Sequence, residues 1–287
     1  MIFIDGVGIG TNDAAINPFV KYGFKTFEEI FGEIPTLSNP EFQNGDYHLF
    51  PTDALLGVEG LPQSGTGQTS IFCGFNASEF VGKHFGPYPY STLIPLIQKK
   101  NIFIELIRRK KKVYFANAYP KVFFEYINSG KRRLSVTSLS CILSGMKLNK
   151  AAEVRKGTAL TAEITNERWN KKLGYKLKVI TPETAAKRLI NIAKKYDFTL
   201  YEYFLSDHLG HGRYDEDFLK TFRELDEFLL TILKKIKDEN LTLVICSDHG
   251  NLEDVSIKTH TLNPALTITA GKNSGQLRKK IKSLYNI

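Results

Sequence analysis

Apolar, strand-like runs that end on clusters of carboxylates and imidazoles constrain this chain more than any other feature. Phe198 to Phe204 runs into Ser206-Asp207-His208-Leu209-Gly210-His211-Gly212, and Leu241 to Cys246 runs into Ser247-Asp248-His249-Gly250-Asn251. Further runs at Ile2-Phe3-Ile4, Val113 to Ala116 and Leu266 to Ala270 read as strands, several of them apolar at nearly every position. That is the pattern of strands covered on both faces. Helical stretches fall between them. Phe218, Phe222, Leu225, Leu229, Ile232 and Ile236 form one apolar stripe. Thr181-Pro182-Glu183 is a helix start, with a capping hydroxyl, a proline and an acid in the order a helix N-terminus favours. Gln276 to Tyr285 reads as a last basic helix. The alternation predicts an α/β fold, a three-layer α/β/α sandwich.

Ends of neighbouring strands converge in space, so their polar residues converge too. Asp and His donors gathered in this way suit Zn, Mn or Fe, singly or in pairs. Asp5 closes the first strand in Ile4-Asp5-Gly6-Val7-Gly8-Ile9-Gly10, where the carboxyl end of a strand places it to hold a cation. The glycines are spaced G-x-G-x-G, which is not the register of a dinucleotide fingerprint, and an acid before the turn would repel a pyrophosphate. His260 stands alone in Thr259-His260-Thr261-Leu262-Asn263-Pro264. A glycine- and hydroxyl-rich segment, Pro62-Gln63-Ser64-Gly65-Thr66-Gly67-Gln68-Thr69-Ser70, precedes a helix-like stretch. It can set a hydroxyl at a helix N-terminus, where the dipole favours negative charge.

Composition narrows the setting. A chain of 287 residues with 42% hydrophobic and 24% charged residues can bury a large core. No run is long enough to cross a bilayer, and the amino terminus goes straight into a strand pattern with no leader-like region. Three widely spaced cysteines, Cys73, Cys141 and Cys246, argue against a disulfide framework and for a reducing cytoplasm. The formal net charge is +9. Its basic clusters are scattered, which reads as solvated helix faces rather than a nucleic-acid footprint, and such a field favours an anionic substrate. Residues 119–178 are rich in Ser, Thr, Asn, Lys and Arg, and the alternation weakens there. They read as an inserted cap on a core of 1–118 and 179–287, or else as a further α/β unit.

The motifs IDGVGIG, SGTGQTSIFCG, SDHLGHG, CSDHGNLED and THTLNP, in that order, closely resemble the alkaline phosphatase superfamily. The likeness is to the metalloenzyme branch that includes cofactor-independent phosphoglycerate mutase and phosphopentomutase. The resemblance implies two divalent metal ions, Mn or Zn. One would lie between Asp5, Thr66, Asp248 and His249, and the second would be held by Asp207, His211 and His260. It implies Thr66 as the nucleophile, with Thr69 as the fallback, and a phosphothreonine intermediate. His208 falls within a motif but not at a ligand position, and Asn251 is placed to orient His249 or its loop.

The known mutases carry a far larger inserted domain than the cap here. That departure favours hydrolysis or transfer on a small anionic phosphate ester, with Lys121, Arg132, Arg133 and Arg155 as candidate cap cations for the substrate. A phosphomutase is the alternative. A non-catalytic metal-, phosphate- or nucleic-acid-binding protein is a further one.

Overall fold

A computed structural model describes residues 1–130, 133–213 and 217–287. Its centre is a seven-stranded mixed sheet: β1 (Ile2–Ile4), β2 (Phe42–Asn44), β3 (Tyr47–Thr52), β4 (Val113–Phe115), β5 (Phe198–Tyr203), β6 (Thr242–Cys246) and β7 (Ala265–Gly271). The order across the sheet is β2-β3-β7-β6-β1-β5-β4. β1 runs parallel to both β5 and β6, and β4 parallel to β5, whereas β7 is antiparallel to β6 and to β3. All five expected strands are present, joined by a hairpin of β2 and β3 at the sheet edge.

Side chains that alternate along each strand feed two separate cores. Ile2, Ile4, Tyr201, Tyr203, Ile245 and Ile268 point to one face, where the helices Lys25–Phe31, Pro182–Ala193 and Phe218–Ile236 lie. Phe3, Leu200 and Cys246 point to the other, against Phe72, Leu93, Phe103 and Val136. Helices on both faces of the sheet make the three-layer α/β/α sandwich. Phe222, Leu225, Leu229, Ile232 and Ile236 of the expected stripe are all buried. Each such side chain contributes roughly 1.5–3 kcal/mol relative to exposure. Thr181 caps its helix as expected, accepting from Thr184 N. The C-terminal helix is shorter than its sequence suggests. It spans Ser274–Lys280 and stops because Ile281 turns extended and buries, after which Leu284–Asn286 forms a single 3₁₀ turn.

Residues 119–178 hold the helices Lys121–Asn128, Val136–Leu143, Ala151–Lys156 and Glu167–Leu173. Val136–Leu143 is packed into the same core as Phe3 and Phe72. Ala151, Val154, Trp169 and Leu177 form a small core of their own. All three cysteines are free and buried, and burial pushes the Cys73 and Cys141 thiols up to about 12. Among the described residues, no helix is long and apolar enough to cross a membrane.

Candidate metal centre and the cavity beside it

β1 lies between β5 and β6 and all three run the same way, so their carboxyl ends open on one place. Asp5 follows β1. Asp207 lies in a short helix, Leu205–Gly210, directly after β5. Asp248 and His249 follow β6, and His260 sits in the loop that leads to β7. Two groups of donors result: Asp5, Asp248 and His249, fully buried, and Asp207, His211 and His260. The expected Asp and His ligands thus meet in space, and they divide between two groups as the resemblance implies. The His249 and His260 rings stack with centroids 3.7 Å apart, so the groups adjoin.

The chemistry of the donors fits divalent cations. His211 Nδ1 lies 2.8 Å from Lys258 O, and His260 Nδ1 lies 2.6 Å from Pro62 O. A carbonyl only accepts, so each Nδ1 carries the proton. Both Nε2 atoms then turn their lone pairs towards one spot. They are 3.2 Å apart, and each is within 3.5 Å of Asp207 Oδ1. Two lone pairs and a carboxylate meet there comfortably only around a positive charge, and a backbone carbonyl behind the ring is how ligand histidines are usually fixed. In the other group, His249 Nε2 is 3.3 Å from Asp5 Oδ1 and 3.6 Å from Asp248 Oδ2. Asp5 Oδ1, Gln68 Oε1 and Asn251 Oδ1 are buried without a hydrogen-bond partner. Such orphaned acceptors cost stability unless a cation answers them.

Electrostatics agree. Burial, with Asp248 and Asp207 close by, raises the Asp5 carboxyl far above its ordinary value. Burial acts the same way on Asp207, but the His211, His260 and His249 imidazoles facing it outweigh burial and hold that carboxyl low. At Asp5 neighbouring carboxylates crowd the site, which is the charge pattern of a cation site.

The surrounding loops are fixed by a residue the sequence reading passed over. The fully buried Glu253 accepts from Gly8 N and Asn251 N, both at 2.8 Å, and from Thr261 Oγ1 at 2.5 Å. It ties together the loops that carry Asp5, His249 and His260. A Cβ on Gly8 would sit 2.6 Å from Glu253 Oε1. Glycine there admits this carboxylate rather than a pyrophosphate. Asn251 Nδ2 donates to Asp207 Oδ1 at 2.7 Å, so it orients Asp207 rather than His249.

The hydroxyl that reaches the donors is Ser64, not Thr66. Ser64 opens the helix Ser64–Cys73, and its Oγ lies 3.0 Å from His249 Nε2. Gln68, one turn on, donates to Asp5 Oδ2 and Asp248 Oδ2, both at 3.3 Å. Thr66 is fully buried, its Oγ1 donating to Gln63 O and accepting from Phe85 N. Thr69 Oγ1 donates to Gly65 O. Helix phase decides this. Residues 64 and 68 share a face, whereas 66 lies about 200° round from 64.

A cavity of about 710 Å³ opens beside the donors, lined at its floor by Asp5, Ser64, Gln68, Glu202 and Asp207. Its opposite wall comes from residues 118–126, 133–135 and 162–173. Of the expected cations, Arg133 reaches it. Lys121 is exposed and pairs with Glu125 at 3.4 Å, Arg155 is exposed away from the cavity, and Arg132 lies outside the described residues. Arg168, Lys172 and Arg213 line it instead. His208 also lines it, against the Phe204 ring, and belongs to neither donor group. Glu202 accepts from Thr137 Oγ1 at 2.7 Å, and burial, helped by Asp248, pushes its carboxyl up to about 7.

The profile of the Metalloenzyme superfamily matches residues 143–287, half of the chain, and the chain belongs to that family. The 2,3-bisphosphoglycerate-independent phosphoglycerate mutase of Malacoplasma penetrans is 24% identical, over 92% of this chain and 52% of its own length. That of Mycoplasmopsis pulmonis is 34% identical over 37% of this chain and 22% of its own length. The chain thus spans about half the length of the first of these relatives. Among solved structures, the alkaline phosphatase of the Antarctic bacterium TAB5 superposes with a TM-score of 0.52 at 13% identity, over 98% of this chain and 92% of that one. That likeness establishes a shared alkaline-phosphatase-like fold.

Proposed function

We propose that this chain transfers phosphoryl groups from small anionic phosphate esters, using two divalent ions and Ser64 as nucleophile. The observation that carries the reading is Ser64 Oγ at 3.0 Å from His249 Nε2, beside both donor groups and on the floor of the cavity. Asp5, Asp248 and His249 would hold one ion, and Asp207, His211 and His260 the other. The mixed Asp and His donors suit Mn or Zn. Such ions, when bound, offset charge on phosphoryl oxygens and lower the pKa of a neighbouring hydroxyl. Ser64 stands in the first turn of its helix, where the dipole favours the negative charge that forms on its oxygen and on the phosphoryl group. Its Oγ gives its proton to solvent and attacks phosphorus, and the ester oxygen leaves with the bonding electrons and takes a proton from solvent. Gln68 steadies Asp5 and Asp248. Residues 119–178 act as the cap over the leaving group, with Arg133, Arg168, Lys172 and Arg213 drawing the anion in.

The phosphoserine then passes its group to water, or to another hydroxyl of a retained substrate. The family relatives keep this second reading, a phosphomutase, in play. One panel separates the two. Metal-loaded protein is given glycerol phosphate, 3-phosphoglycerate, ribose 1-phosphate and p-nitrophenyl phosphate. Free phosphate marks hydrolysis, and isomer without free phosphate marks a mutase. Ser64→Ala lowers the rate roughly a thousandfold or more with metal still bound, whereas Thr66→Ala retains turnover. Full turnover by Ser64→Ala counts against the reading.

A further inference from the structure

The cavity is lined by two unlike sets of side chains. One includes Asp5, Asp207 and Ser64; the other is an apolar and aromatic set, Tyr119, Val122, Phe123, Tyr126, Trp169 and Leu173, with Arg133, Arg168 and Lys172 among them. Tyr119 and Phe123 stack face to face with centroids 4.2 Å apart. Trp169 packs on Tyr175 at 5.0 Å, which fixes its ring at the wall. Several large apolar side chains left exposed in this fold gather here. Val122 is 56% exposed, Leu173 41%, Tyr88 38% and Phe204 36%, and all four line this one cavity. Scattered exposed apolar residues mean little, whereas a cluster inside a concave site marks a binding surface. At about 710 Å³ the space lies in the range that holds drug-sized ligands. At roughly 30 Å³ per water, it would otherwise hold about two dozen waters, many of them against ring faces and aliphatic carbons that offer no hydrogen bond. A three-carbon acid would leave most of it empty and those ring faces uncovered.

Resting on the phosphoryl-transfer reading, we propose that the leaving group of the substrate is an aryl or similarly flat apolar alcohol, seated against the Phe123 and Trp169 wall while its phosphate meets Ser64. The ester would be cleaved at the P–O bond: Ser64 Oγ gives its proton to solvent and bonds to phosphorus, and the aryl oxygen leaves with the electron pair and takes a proton from solvent. The rim cations Arg133 and Arg213 complement the phosphate and not the ring, so charge draws the ester in and the wall selects it.

Binding and turnover test this separately. Benzylphosphonate and 3-phosphonopropionate, which cannot lose phosphate, are titrated into metal-loaded protein by calorimetry and by quenching of the chain's single tryptophan, Trp169. Benzylphosphonate is expected to bind at least tenfold tighter and to change Trp169 emission. Phe123→Ala should abolish the preference and leave 3-phosphonopropionate unaffected. Val122→Asp, at an exposed position that risks little folding stability, should do the same. The ratio of kcat/KM for phenyl phosphate over glycerol phosphate should fall with it. Equal binding of the two phosphonates, or turnover without aryl preference, overturns the leaving-group assignment while phosphoryl transfer stands. Preferential binding with no turnover of any ester leaves an aryl-binding wall but overturns the phosphoryl-transfer reading, and the leaving-group assignment with it.

Discussion

Glu202 shows how far burial, with a carboxylate nearby, moves the chemistry of one residue. Its carboxyl lies under the cavity, 4% exposed, and is pushed up to about 7. The reference value is 4.5, so the unfolded chain gives up this proton first as pH rises. The stabilising contribution is therefore complete below about pH 4.5, declines between 4.5 and 7, and is gone above it. In metal-free protein, melting temperatures measured from pH 4.5 to 8 should fall with rising pH, and Glu202→Gln should flatten part of that fall. The difference should approach roughly 3 kcal/mol at pH 8. An unchanged slope in the variant would contradict the burial account. The ligands were legible at this same scale. An Asp or His just beyond an apolar strand can only sit at the strand's carboxyl end, so Asp5, Asp207, Asp248 and His249 followed from position. The proposed nucleophile did not follow. Ser64, Thr66, Thr69 and Ser70 crowd just under two turns of helix, and only the phase against Asp5 and His249 favours Ser64. The one clue was Gln68, a polar residue four positions from Ser64 and not from Thr66.

The helix Ser64–Cys73 depends on a close approach at its first turn. A Cβ on Gly65 would lie 2.1 Å from Tyr88 O and 2.6 Å from Phe85 O, and Thr66 N donates to Phe85 O at 2.9 Å. Backbone atoms cannot yield as a side-chain tip can. Gly65→Ala should therefore cost about 1–3 kcal/mol in chemical denaturation, and it should lower turnover more than metal affinity, because the shift falls on Ser64. Wild-type stability in that variant would refute the packing. The five central strands were readable from continuous apolar runs. The β2–β3 hairpin was not, because Pro51 interrupts β3. It is tolerated since β2 pairs only as far as Leu49, leaving that side of the strand free beyond it. The last helix was overread for the opposite reason. Basic residues up to Lys282 extend the helical pattern, but burial of Ile281 and Leu284 against the core ends it.

The whole molecule brings distant segments to one point by topology. Parallel neighbours β5, β1 and β6 put residues near positions 5, 207 and 248 side by side, and Glu253 ties the loop after β1 to the segments that carry His249 and His260. The cations of residues 119–178 were the least legible part, since their facing depends on how short helices pack against the sheet core and one another. Lys121 and Arg155 turn outward where Arg168 and Lys172 turn in. The central claim is that the two donor groups hold a pair of divalent cations. It is tested most directly by crystals grown with Mn and examined by anomalous scattering. Two peaks are expected, one bounded by Asp5, Asp248 and His249 and one by Asp207, His211 and His260. Crystals saturated with the metal that show no peak at either group would contradict it.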